Sequence, residues 1–170
     1  MGTRATAADP LVWCWHATRL GRLYLAATPT GLACVGLPGA PSVWPAWAQP
    51  ARTAAPAALR WATAQLDEYL AGERRVFQLP LDLRGTPFQR RAWSAVAGIP
   101  YGHTMTYGEV AAWLGQPHAA RAVGAAMRSN PLPIVIPCHR VVGAQGRMVG
   151  YAGGLGLKAA LLVQEGARLV

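Results

Sequence analysis

The N-terminal stretch "VWCWHATRLGRLYLAATPTGLACVGL" alternates apolar and polar positions around Gly and Pro breaks, the pattern of paired antiparallel strands, and predicts a small sheet. The segment "LPGAPSVWPAWAQPARTAAPAAL" is dense in Pro and Ala and reads as an irregular connection that tilts into helix. In "APAALRWATAQLDEYLAGE" the period lengthens: Leu59, Ala62, Leu66, Tyr69 and Leu70 fall on one helical face, and Gly72 supplies a C-terminal stop. The first half therefore reads as a sheet with packed helices.

From "RGTPFQRRAWSAVAGI" onward the pattern is helical. Thr86 can cap, Pro87 suits the first helical position, and Phe88, Trp93 and Val96 make an inward stripe. This change puts a boundary close to Gly85, giving domains 1–84 and 85–170 and an α+β fold class. In "MTYGEVAAWLGQPHAARAVGAAMRSN", Thr106 and Glu109 form a capping box for a helix ending near Gly115. After the turn "QPHA" a second helix runs from about Ala119 to Met127. Its Val123 and Met127 can pack inward, while Ala119, Ala122, Gly124, Ala125 and Ala126, with Arg121 and Arg128, make the other side. Small residues let a helix backbone approach a grooved partner and arginines supply phosphate contacts, so a helix-turn-helix on DNA is one reading. An Ala-rich packing helix is the other. "RVVGAQGRMVGYAGG" predicts a hairpin or wing, and "GLKAALLVQEG" a last helix with Leu157, Leu161 and Leu162 inward, stopping at Gly166.

The 170 residues are 52% hydrophobic, enough for one large domain or two small ones with a genuine core. No apolar run is long enough to span a bilayer, and "MGTRATAADP" has no signal-peptide apolar region, so a soluble cytoplasmic protein is expected. Cys14, Cys34 and Cys138 are odd in number and scattered, which does not make a disulfide framework. The formal charge of +9 favours polyanionic partners. That excess belongs mostly to the second half: after Arg84 the acids are Glu109 and Glu165, against Arg90, Arg91, Arg121, Arg128, Arg140, Arg147, Lys158 and Arg168.

Chemistry concentrates in "PIVIPCHRVVG". Pro133 and Pro137 forbid helix around the short apolar run, so the chain reaches Cys138 rigidly. An ordinary thiol is only about 3% thiolate at neutral pH, so a nucleophile here needs a base or a positive neighbour. His139 is adjacent, but neighbours on a strand point to opposite faces, and the pair can cooperate only at a turn or through a bridging water. Glu165 ends its predicted helix, where the macrodipole disfavours a carboxylate by roughly 0.3 to 1 kcal/mol. A histidine to be oriented would compensate, giving a Cys, His, Glu relay; an exposed helix-end glutamate is the alternative.

"PYGHTMTYGEVA", "RAVGAAMRSNPLPIVIPCHRVV" and "GYAGGLGLKAALLVQEG" together resemble the O6-alkylguanine-DNA alkyltransferases, or methylated-DNA--protein-cysteine methyltransferases, across nearly all of the second half. The first half resembles that family's N-terminal ribonuclease-H-like domain in length and in "LGRLYLAATPTGLACV". The resemblance implies a ribonuclease-H-like small antiparallel sheet with helices, followed by a winged helix-turn-helix domain. It implies that O6-alkylguanine is flipped out of duplex DNA and that its alkyl group moves irreversibly to Cys138. His139, through a water, would take the thiol proton and Glu165 would orient the imidazole. Tyr107 would rotate the target phosphodiester and protonate the departing base, and Arg121 would fill the vacated stack. Asn130 would pin the turn between the recognition helix and the active loop. The Cys138 and Val141 carbonyls, Tyr151 and the Ala152 amide would read the guanine edge, with Met127 and Pro133 lining the pocket. DNA would be held in its minor groove by the face carrying Ala119, Ala120, Gly124 and Arg128, with Gln116 of the turn.

The partner so implied is double-stranded DNA bearing O6-alkylguanine, met by a monomer with no membrane and no cofactor. Some family members hold zinc in the N-terminal domain, but Cys14, His16 and Cys34 lack compact ligand spacing, and no metal is expected. Ala152 replaces a small hydroxyl residue of some relatives, a change of little cost if only its N–H is used. Two rivals are an alkyltransferase-like lesion binder, which would lack Cys138, and a Cys-His hydrolase, which would need an oxyanion hole and leave the recognition helix unexplained.

Overall fold

Strands β1 (Leu11–Thr18), β2 (Gly21–Thr28) and β3 (Gly31–Gly36) form an antiparallel meander, and the short β4 (Pro50–Ala51) runs parallel to β1 at the edge. The structure is a computed structural model that describes residues 11–40, 50–51 and 57–167. The expected irregular connection lies largely outside the described residues, as does Arg168. Strand β2 departs from simple alternation: Leu23, Leu25 and Ala27 enter the main core, while Tyr24 and Ala26 are buried against Leu11, Ala33 and Cys34 on the other face. Its run "LYLAA" is apolar on both sides because both faces are covered.

Helix α1 (Ala57–Leu70) buries Leu59, Ala62, Leu66, Tyr69 and Leu70, the face that its period predicts. It ends where Gly72 takes a φ of +81°, a left-handed turn open to glycine. Helix α2 (Pro87–Ala97) opens with a complete capping box between Thr86 and Gln89 and buries Ala92, Trp93 and Val96, with Phe88 partly covered. Strand β5 (Met105–Thr106) leads into helix α3 (Tyr107–Trp113), whose Thr106 and Glu109 form the predicted box. Helix α4 (Ala120–Arg128) follows, with Val123, Ala126 and Met127 inward. Ala126 thus belongs to the packed side rather than the exposed one, and its carbonyl accepts from Trp93 Nε1 at 2.8 Å.

The expected hairpin after the cysteine does not form. Val141–Val142, strand β6, instead pairs in parallel with β5. The Lys158 ammonium on helix α5 (Gly154–Gln164) donates to the carbonyls of Val141 at 2.6 Å and Val149 at 2.8 Å. An ammonium rather than a ladder joins the two arms, so no wing strand appears among the described residues. Leu161 and Leu162 are buried as predicted and Leu157 is partly so.

One core runs through both halves, from Leu25, Leu66 and Tyr69 to Trp93, Val123 and Leu161. Backbone bonds tie them as well: Val35 N–H donates to the Pro131 carbonyl at 2.8 Å, so β3 grips the start of the cysteine loop. Gln164 at the end of α5 donates to the Tyr69 carbonyl at 2.6 Å. No helix of the described residues is long and apolar enough to cross a membrane.

Candidate active site

The proline-rich segment before Cys138 cannot satisfy its backbone with a ladder, and Asn130 does that work with one side chain. Its Oδ1 accepts from Leu132 N–H at 2.9 Å, while its Nδ2 donates to the Ile136 carbonyl at 3.0 Å and approaches Cys138 Sγ at 3.2 Å. Ile134 sits at a φ of +75°, strained for a β-branched residue. Residues Cys138–Arg140 then wind into a single 3₁₀ turn in which all three side chains are buried. The turn removes the objection that sequence neighbours diverge: Cys138 and His139 share one interior.

His139 Nε2 lies 2.9 Å from Glu165 Oε1, and both side chains are fully enclosed. Arg140 grips the same carboxylate with two nitrogens, Nε to Oε2 at 2.8 Å and Nη2 to Oε1 at 2.9 Å, and sends Nη1 to the Ile99 carbonyl at 2.6 Å. Tyr69 donates its hydroxyl to Oε1 at 2.5 Å and Gly102 its N–H to Oε2 at 3.1 Å. Burial alone would raise the Glu165 carboxyl, but the hydrogen bonds from His139, Arg140 and Tyr69 outweigh it and hold the group well below the usual carboxylate range. An ionised carboxylate only accepts, so the His139 proton resides on Nε2 and its Nδ1 carries the lone pair. That Nδ1 is buried without a hydrogen-bond partner among the described residues. Burial, against the opposing pull of Glu165, lowers the imidazole pKa and keeps the ring neutral, fit to receive a proton.

Burial pushes the Cys138 thiol up to about 11, offset only partly by the Asn130 amide and the Lys158 charge. The resting sulfur is therefore protonated and must lose its proton during reaction. Lys158 is itself fully buried, and desolvation lowers its pKa while Cys138 opposes that shift. Tyr107 begins α3 beside Gly124 of α4, where an added Cβ would stand 3.8 Å from the tyrosine ring. Burial, then proximity to Cys138, raises its phenol against a lowering by Arg128, so it stays a proton donor at neutral pH.

Among the remaining predicted residues, Met127, Pro133 and Val141 are buried, Tyr151 is half-buried with its ring 6.3 Å from that of His139, and Ala152 is exposed. Arg121, Arg128 and Gln116 are exposed, and Ala119, Ala120 and Gly124 are half-buried, which leaves one face of α4 open beside the turn. His16 pairs with Asp67 at 2.7 Å. A separate cavity of about 250 Å³ is lined by Arg75, Phe77, Tyr101, Pro137 and Arg140, but Cys138 is not in its wall.

Sequence reading missed Tyr69, Gly102, Arg140 and Lys158 as parts of this centre. Lys158 carried a usable signal: with Leu161, Leu162 and Glu165 it falls at i, i+3, i+4 and i+7, a charge on the buried stripe. Tyr69 read only as core, although a buried phenol needs a partner.

Two family models match the chain. The DNA binding domain of 6-O-methylguanine DNA methyltransferase covers residues 87–167, and the ribonuclease-like domain of the same protein covers 11–83. A methylated-DNA--protein-cysteine methyltransferase of Mycobacterium tuberculosis is 53% identical over 113 residues, 66% of this chain and 68% of that one. Its namesake from Methanosarcina acetivorans is 51% identical over 108 residues, 64% of this chain and 69% of the relative. The crystal structure of Mycobacterium tuberculosis OGT in complex with DNA superposes with a TM-score of 0.82 at 42% identity, covering 91% of this chain and 92% of that one. With relatedness of this strength reaching both halves, the chain belongs to the 6-O-methylguanine DNA methyltransferase family.

Proposed function

We propose that this protein repairs O6-alkylguanine, chiefly O6-methylguanine, in double-stranded DNA by moving the alkyl group to Cys138 in a single turnover. Residues 1–84 form the ribonuclease-like domain and 85–170 the DNA-binding and transfer domain, acting as a monomer on chromosomal DNA in the cytoplasm. The observation that carries the reading is the sulfur's setting: Asn130 Nδ2 at 3.2 Å from Sγ, and a neutral imidazole held by Glu165 with a lone pair on Nδ1.

The exposed face of α4 enters the minor groove, and Arg121 takes the place of the extruded base. Met127, Pro133 and Tyr151 enclose the guanine, while the Cys138 and Val141 carbonyls and the Ala152 N–H read its edge. Val141 O already accepts from Lys158 at 2.6 Å, and its second lone pair serves the base. A bridging water carries the thiol proton to His139 Nδ1 as sulfur attacks the alkyl carbon in line. The C–O6 bond breaks, its electron pair stays on guanine, and Tyr107 supplies the proton the base needs; His139 returns the thiol proton to Tyr107. The S-alkyl thioether has no polarised carbonyl for water to attack, so the protein is consumed.

Mass spectrometry of the Cys138 peptide after incubation with an O6-methylguanine duplex tests this. The expected result is one added methyl per molecule, none in Cys138→Ala, and an end-point equal to the protein supplied. Repeated turnover, or demethylation by Cys138→Ala, would reject it.

A further inference from the structure

Tyr69 lies on α1, outside the helix-turn-helix and the cysteine loop, yet its hydroxyl reaches the catalytic carboxylate. Its oxygen is 2.5 Å from Glu165 Oε1 and 3.4 Å from His139 Nε2. The ring is fully buried and packs on Phe77 and Tyr101 at centroid separations of 5.3 and 6.1 Å, contacts that phenylalanine would keep. Nor is the hydroxyl needed to satisfy Glu165, which retains four other donors from His139, Arg140 and Gly102. What the hydroxyl adds is a competing donor on the very oxygen that accepts from His139.

Building on the alkyl-transfer reading, we infer that Tyr69 is a positioning residue through which the N-terminal half sets the basicity and tautomer of His139. By drawing density from Oε1 it weakens the pull of Glu165 on the imidazole, and its own lone pair faces Nε2–H. The first lowers the basicity of the ring, while the second, together with Oε1 itself, keeps the proton on Nε2 and leaves Nδ1 as the open acceptor. The other charged or titratable groups facing the pair are Arg140 and Cys138 on the 3₁₀ turn, Lys158 on α5, Tyr101 before β5, and Tyr151 across the imidazole. Burial and the adjacent Glu165 push the Tyr69 phenol far above neutrality, so it remains a donor throughout.

The test is the pH dependence of single-turnover methyl transfer in the full chain, with Tyr69→Phe and with a fluorotyrosine placed at 69. Phenylalanine removes the competing donor, so His139 protonates more readily. The acid limb should move up by about 0.5 unit, so the rate at pH values below the His139 pKa should fall about threefold, with duplex affinity unchanged. The more acidic fluorotyrosine should move the limb down. ¹⁵N spectra of the His139 ring should titrate in the same two directions. An acid limb and ring titration identical in all three proteins would overturn the proposal, as would a rate loss that tracks melting temperature with the limb unmoved. If the wild type takes up no methyl, the repair reading falls, while the ring titration still decides the role of Tyr69. Should Tyr69→Phe not fold, the fluorotyrosine protein carries the same decision.

Discussion

Five donor groups converge on Glu165, from Tyr69, Gly102, His139 and two nitrogens of Arg140, and this decides how the residue responds to change. Glu165→Gln leaves the buried Arg140 guanidinium without its charge partner, and urea unfolding at pH 7 should show a loss of about 3 kcal/mol. Because the folded carboxyl is held below its unfolded value, its contribution is complete above about pH 4.3 and fades as pH falls through the folded value. The gap between wild type and Glu165→Gln should therefore narrow in acid; a gap that widens there would contradict the charge pairing. The need for a partner to Glu165 was legible in the sequence, since a carboxylate at a helix end asks for compensation. That Arg140 supplies most of it was not, because an arginine following Cys-His on a presumed strand gives no sign of turning inward. The 3₁₀ turn, set by Pro137 and Asn130, is a tertiary outcome. The need for a base beside the thiol was also legible in the sequence, and the burial that keeps the sulfur protonated makes that need acute.

At the level of elements, sequence reading was strongest where local chemistry closes on itself. The cap at Thr86, the capping box at Thr106 and the stripe of α1 each depend on residues a few positions apart, and all formed as predicted, Gln89 completing a box at Thr86 as well. It failed at β6, whose partner β5 lies far away in the chain and whose neighbouring arm is held by Lys158. Helix α4 lies between these cases: its position was right, but Ala126 cannot be told from Ala125 until Trp93 Nε1 claims its carbonyl. The same helix carries Gly124 in its interior, where glycine costs about 1 kcal/mol relative to alanine. An added Cβ would meet the Tyr107 ring at 3.8 Å, ordinary contact. Gly124→Ala should thus raise stability by about 0.5 to 1 kcal/mol in urea titration. A loss would mean that the ring cannot accept the methyl group.

For the molecule as a whole, the charge of +9 and the open face of α4 act together on a polyanion. Electrostatic attraction brings duplex DNA to the surface without regard to sequence, while on the proposed reading the buried Cys138, His139 and Glu165 act once a base is extruded. Arg121 and Arg128 are both exposed on this helix, but the proposed division of labour gives them different signatures. Arg128, in the last turn, binds phosphate, so Arg128→Ala should weaken duplex affinity uniformly and reduce the slope of log affinity against log salt by about 1. Arg121 occupies the stack in place of the flipped nucleotide, so Arg121→Ala should leave that slope nearly unchanged. Its effect should fall on single-turnover methyl transfer, by about a hundredfold if it offsets a few kcal/mol of unstacking. Salt titrations of duplex binding set beside transfer rates for both variants separate the roles. Equal losses of slope would return Arg121 to the phosphate contacts and leave base extrusion to another side chain.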